Sequence, residues 1–95
     1  MKVYLSGKMR GLPEENTPMF NRFAKTLRDC GYEVFNPAET VPRDDWTVRD
    51  WFSVDCEWIC RHAEAIFMMP GWEDSKGARA EHALALALGL KVMYA

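Results

Sequence analysis

Four short apolar runs, Val3–Ser6, Tyr32–Phe35, Ala65–Met69 and Lys91–Tyr94, punctuate this chain. The stretches between them are each long enough for one helix. In each stretch apolar residues recur with helical spacing: Phe20, Phe23, Ala24 and Leu27, then Trp51, Phe52, Trp58 and Ile59, then Ala78, Leu84, Ala85 and Leu88. The third run has no polar residue, as expected of a strand covered on both faces. Alternation of strand and helix implies a parallel sheet between two helical layers. Right-handed crossovers then leave few arrangements, and a four-stranded sheet in the order 2-1-3-4 is expected. The chain of 95 residues thus reads as a single α/β domain, residues 1–95, a three-layer sandwich of Rossmann or flavodoxin type. In such a sheet a ligand binds where the strand order reverses, at the carboxyl ends of the first and third strands. Those ends are the loops 7–16 and 70–76.

Helix boundaries follow from breakers and caps. Thr17-Pro18 reads as a cap followed by proline at the first helical position, and Gly31 as the stop. Pro42 and Asp44-Asp45 break a polar loop over residues 38–45, and a long helix is expected over roughly 46–63. Asp74 or Ser75 can cap the third helix and Gly89 can end it.

Two acids break the apolar pattern. Counted from Glu81, Ala78, Leu84, Ala85 and Leu88 fall at i−3, i+3, i+4 and i+7, so a carboxylate sits on the stripe that should face the core. An ionised carboxylate there is costly unless something pairs with it or uses it. Asp55 is a second such acid, on one face with Trp51, Phe52, Trp58, Ile59 and His62. Lys76 and Arg79 occupy the first turn of the third helix, where the macrodipole favours acids. Free N–H groups, a serine hydroxyl at Ser75, Gly77 and two cations describe an anion site. Gly7-Lys8-Met9-Arg10-Gly11, after the first strand, allows close backbone approach and offers further cations. Two carboxylates in a partly dry site suit cleavage of a bond to an anomeric carbon, one ionised and one protonated. Tyr4 could hold one of them through its phenol. Trp72, in the second loop, is a candidate for stacking on a base.

Composition excludes several classes. The net charge is −2, which argues against a nucleic-acid polymer as partner. The longest apolar run, Ala83–Leu90, is far short of a membrane span, and MKVYLSGKM has no apolar region long enough for a signal peptide. Cys30, Cys56 and Cys60 form no Cys-x2-Cys pair, and neither histidine has partners at metal spacing, so no metal or other cofactor is expected. A reduced, cytoplasmic chain is expected. A domain this small has a thin core, yet 48% of its residues are hydrophobic and Trp46, Trp51 and Trp58 crowd one helix. A homodimer using that helix is expected.

Tyr4-Leu5-Ser6-Gly7-Lys8-Met9-Arg10-Gly11 resembles the opening Y-x-x-G-x-[IM]-R-G of the 2′-deoxynucleoside 5′-phosphate N-hydrolases, within the nucleoside 2-deoxyribosyltransferase superfamily. Asp55-Cys56-Glu57-Trp58-Ile59 resembles the D-x-E-W-[IL] segment of that family, and Ser75-Lys76-Gly77-Ala78-Arg79-Ala80-Glu81 its S-x-G-x-x-x-E segment. The resemblance implies that Glu81 is a nucleophile toward C1′ that forms a glycosyl-enzyme. It implies further that Asp55 is the general acid toward the base and that Tyr4 orients Glu81. Ser75 and Gly77 would bind a 5′-phosphate, with Arg10 and Gly11 in the loop that covers it. The plain transferases carry Asp where this chain has Ser75, so the resemblance favours a phosphorylated substrate. The implied activity is hydrolysis or transfer of the N-glycosidic bond of a (deoxy)nucleoside 5′-monophosphate. A nucleotide-binding module without turnover, acting as a sensor or sequestering its ligand, is the alternative from another class. A structural interaction domain, suggested by the tryptophans, is a third.

Overall fold

The computed structural model describes residues 1–95. Its elements alternate as β1 (Lys2–Ser6), α1 (Thr17–Asp29), β2 (Glu33–Phe35), α2 (Val48–Arg61), β3 (Ala65–Met68), α3 (Lys76–Ala87) and β4 (Lys91–Tyr94). The four strands form one parallel sheet in the order β2-β1-β3-β4, as the alternation predicts. β1 is central and runs beside β3 with Tyr4 opposite Ile66 and Ser6 opposite Met68.

Strand alternation divides the side chains between two faces. On one face Val3, Leu5, Val34 and Ala65 pack against Phe20, Ala24 and Leu27 of α1. On the other, Tyr4, Ile66 and Met68 meet Ile59 of α2 and Ala78 and Ala85 of α3. Each large side chain fully buried here contributes roughly 1.5–3 kcal/mol. Trp58 joins the second cluster, with its ring 5.1 Å from Phe35 and 6.4 Å from Tyr4.

The helix ends differ in detail from the sequence expectations. α1 begins with Thr17 already inside the helix. The residue before it, Asn16, has φ of 62° and closes a run with Glu14 and Glu15 that is also left-handed. The Asn16 amide ties this turn to the first loop by donating to the Lys8 carbonyl at 2.9 Å. α2 is shorter than expected. The Asp50 carboxylate accepts from the Thr47 N–H at 2.6 Å and the Thr47 hydroxyl at 3.0 Å, so the helix starts after Thr47 rather than at Trp46. At the other end His62 is its exposed cap and not part of the inner face. Leu88 is likewise 46% exposed, because α3 ends at Ala87 and Gly89 turns the chain with φ of 72°. Residues 37–39 form a short 3-10 turn within the expected loop, capped by the Asn36 side chain accepting from the Ala38 N–H. No helix is long and apolar enough to cross a membrane.

Candidate functional site

Tyr4 and Ser6 are two residues apart on the central strand, so their side chains emerge on the same face near its carboxyl end. Glu81 lies just over one turn into α3, which crosses that face. The Tyr4 hydroxyl donates to Glu81 Oε2 at 2.8 Å and the Ser6 hydroxyl donates to Oε1 at 2.7 Å. Both carboxylate oxygens are therefore held, and Glu81 is 7% exposed. Burial pushes its pKa up to about 7, against the pull of the two hydroxyls, and the Asp55 charge adds to the rise. Tyr4 is pushed well above the usual phenol range, first by burial and then by the two carboxylates. It stays protonated and remains a donor.

Asp55 projects from α2 toward the same place and is 8% exposed. Burial pushes its pKa up to about 6, with the Tyr4 hydroxyl opposing. Its Oδ1 is buried with no hydrogen-bond partner, the one side-chain atom of the chain in that condition. The single Tyr4 proton goes to Glu81, so none is left for it. An orphaned buried acceptor of this kind calls for an explanation.

A cavity of about 740 Å³ joins these groups, within the usual size for small-molecule sites. Tyr4, Asp55, Glu81, Ser75, Gly77, Gly7, Met9 and Arg10 all line it. Ser75 caps α3 by accepting from the Ala78 N–H at 3.1 Å, which leaves its hydroxyl hydrogen free to donate. The Lys76 and Gly77 N–H groups have no backbone acceptor. Lys8, Arg10 and Lys76 line the cavity and none is in an ion pair. Unpaired cations and free N–H groups at a helix start are suited to an anionic group. Gly7 has a second constraint: a Cβ there would stand 2.9 Å from Met69 Cε and 3.1 Å from Met69 Cβ. No group of three or more His, Cys, Asp or Glu side chains is arranged to hold a metal ion.

Two expected site residues lie elsewhere. Gly11 does not line the cavity. Trp72 is not placed to stack on a base there. The 3-10 turn over Trp72–Asp74 lays the half-buried indole against the second core cluster, 4.4 Å from the His82 ring and 6.2 Å from Tyr94. His82 and Tyr94 are joined by a 2.8 Å hydrogen bond. Sequence reasoning gave Ser6 no role, although strand alternation puts it beside Tyr4. It also read Trp51 as core or interface. Trp51 lines the cavity with Phe52 and Val48, and Trp46 packs edge-on against it at 5.2 Å.

No curated protein matches the chain. A family profile does match, over residues 1–94, and by that near-complete match the chain belongs to DUF4406, a domain of unknown function.

Proposed function

We propose that this domain cleaves the N-glycosidic bond of a (deoxy)nucleoside 5′-monophosphate, passing the sugar to water or to a second base through Glu81. The observation that carries the reading is the buried Glu81 carboxylate, clamped by Tyr4 and Ser6 and sharing one cavity with Asp55 and the free N-terminus of α3. A clamped structural acid would sit beside a cation. This one faces a cavity, and no ion pair reaches it.

The chemistry is a double displacement. An ionised Glu81 oxygen attacks C1′, and a C1′–O bond forms as the C1′–N bond breaks. The electron pair of that bond leaves with the base, and Asp55 gives the base its proton. Water, or a second base, then attacks C1′ and frees the Glu81 carboxylate, while Asp55 takes up the proton released. Burial raises both carboxyls toward neutrality, Glu81 further than Asp55, so the pair acts in the state in which its shared proton sits on Asp55 and Glu81 is ionised, the minor of its two singly protonated states. The 5′-phosphate would rest on Ser75, the Lys76 and Gly77 N–H groups and the cations of the first loop. Binding energy gained there, away from the reacting carbon, positions C1′ over Glu81. The phosphate reading also fits the departure from the plain transferases at Ser75. No metal or other cofactor enters this scheme.

The test is incubation of the protein with a panel of ribo- and deoxyribonucleoside monophosphates, with chromatography for free base. Base is expected from at least one of them. If nucleotides bind and no base appears, the chain is a nucleotide-binding module instead.

A further inference from the structure

Asp55 Oδ1 is closed off from the cavity and has no hydrogen-bond partner. Neither water nor a ligand can reach it, so its donor has to come from the protein. One side-chain donor acts on the Asp55 carboxyl, the Tyr4 hydroxyl, which draws its pKa down against burial. That hydroxyl has a single proton, and it is given to Glu81 Oε2 at 2.8 Å. The Tyr4 ring is buried and stacked on Phe35 at 5.4 Å, so its oxygen is fixed in reach of both acids. Its hydrogen is not fixed, because it turns about the C–O bond. Glu81 also has a second donor, the Ser6 hydroxyl at 2.7 Å on Oε1. Asp55 has no such reserve.

We infer that Tyr4 is a positioning residue shared by the two acids: its hydroxyl donates to Glu81 before the attack on C1′ and turns to Asp55 Oδ1 as the base departs. The inference rests on the glycosidic reading above and deepens it. In the attack the C1′–O bond to Glu81 forms and the C1′–N bond breaks. The base leaves with the electron pair of that bond and with the proton of Asp55. Glu81 thereby loses its charge to an ester, and Asp55 gains one. An ester oxygen is a weaker acceptor than a carboxylate, and a buried carboxylate oxygen without a donor is costly. The hydroxyl therefore follows the charge. Tyr4 keeps its proton throughout, and only its hydrogen bond moves. Ser6 holds Glu81 while Tyr4 is turned away. When water or a second base attacks C1′, Asp55 takes up a proton, Glu81 regains its charge and the hydroxyl turns back. Oδ1 is thus without a donor only while the charge is on Glu81.

The test is titration of each acid by itself, by carboxyl-carbon NMR of the chain without ligand. The other ionisable groups near the pair are Cys56, next to Asp55 on α2, and Lys8, Arg10, Glu15, Asp74 and Lys76 around the cavity. They are the same in every comparison. In the Glu81→Gln chain, adding Tyr4→Phe should raise the Asp55 midpoint by at least about one pH unit. In the Asp55→Asn chain, the same change should raise the Glu81 midpoint by a similar amount. Ser6→Ala should raise Glu81 and leave Asp55 unmoved, since the Ser6 hydroxyl serves Glu81 alone. An Asp55 midpoint that Tyr4→Phe does not move overturns the inference, because the hydroxyl would then belong to Glu81 only. An Asp55 midpoint raised as far by Ser6→Ala as by Tyr4→Phe overturns it too, as a general loosening of the site. These titrations need no turnover. Base release with Asp55 unmoved overturns this inference and leaves the catalytic reading standing. A raised Asp55 midpoint with no base released from any nucleotide overturns the catalytic reading and leaves the shared hydroxyl. Neither shift nor release overturns both.

Discussion

Replacing Glu81 by glutamine should stabilise the fold at alkaline pH and not at acid pH. In the folded chain the Glu81 pKa is raised from an ordinary 4.5 to about 7 by burial. The sign follows from linkage. A group whose folded pKa lies above its unfolded value favours folding while protonated, below about pH 4.5, and loses that contribution as pH rises through about 7. At about 1.36 kcal/mol for each pH unit, the span corresponds to roughly 3 kcal/mol lost by pH 8. Glutamine carries no charge to desolvate. Its carbonyl can accept from one of the two hydroxyls and its amide can donate to the other, since hydroxyls do both. Urea unfolding of wild type and Glu81→Gln at pH 4 and pH 8 measures the difference directly. The gap between the two chains should widen toward the variant by roughly 3 kcal/mol between those pH values. That is about 1–3 M in the midpoint for ordinary urea slopes. A variant that is less stable than wild type by the same amount at both pH values would refute the reasoning. It would mean that Glu81 is a structural acid whose charge the fold already compensates. A residue that weakens the fold yet sits at the centre of a cavity is the pattern expected of a functional group.

Three further outcomes are expected. Base release should follow a bell against pH, rising as the coupled Glu81–Asp55 pair loses its first proton and falling as it loses its second, with apparent values for the pair near 6 and 7; Ser6→Ala, which removes one donor to the charged form, should move the profile to higher pH, and an unmoved profile would deny Ser6 that part. Ser75→Ala should weaken nucleoside monophosphates by about 1.5–3 kcal/mol and free nucleosides much less, measured by calorimetry, and equal losses for both would remove the phosphate from Ser75. Gly7→Ala should cost about 1–3 kcal/mol in urea unfolding, because the new Cβ would meet Met69 at 2.9 Å, and an unchanged midpoint would show that Met69 can move aside.

Periodicity carried the architecture. Strand runs and helical stripes depend on local spacing alone, and with right-handed crossovers they sufficed for the order β2-β1-β3-β4. The same spacing exposed Glu81 and Asp55, because an acid on an apolar stripe is visible in one dimension. Their convergence with Tyr4 and Ser75 on one cavity follows from the switch point between β1 and β3. What was illegible has physical causes. Whether an aromatic on an inner helix face meets core or cavity depends on how the neighbouring loops pack, so Trp51 and Trp58 look alike in sequence and differ in place. The direction of Trp72 depends on the backbone of the turn that follows β3. Gly71, with φ of 84°, starts a turn that sets the indole against His82, and Trp72 does not line the cavity. The cap of α1 was misread because Asn16 adopts a left-handed backbone and spends its amide on the Lys8 carbonyl. Ser6 was legible through its alternation with Tyr4, and its role depends on the placement of α3 over β1.

The most direct test of Glu81 as the group that cleaves the glycosidic bond is a single-turnover comparison of wild type and Glu81→Gln at saturating nucleoside monophosphate. The wild-type chain should release base. The variant should bind the nucleotide within a few-fold of wild type and release base at least about a thousand times more slowly, since it lacks the attacking oxygen. Base release at the wild-type rate from Glu81→Gln, or none from a wild-type chain that has bound its nucleotide, would contradict it.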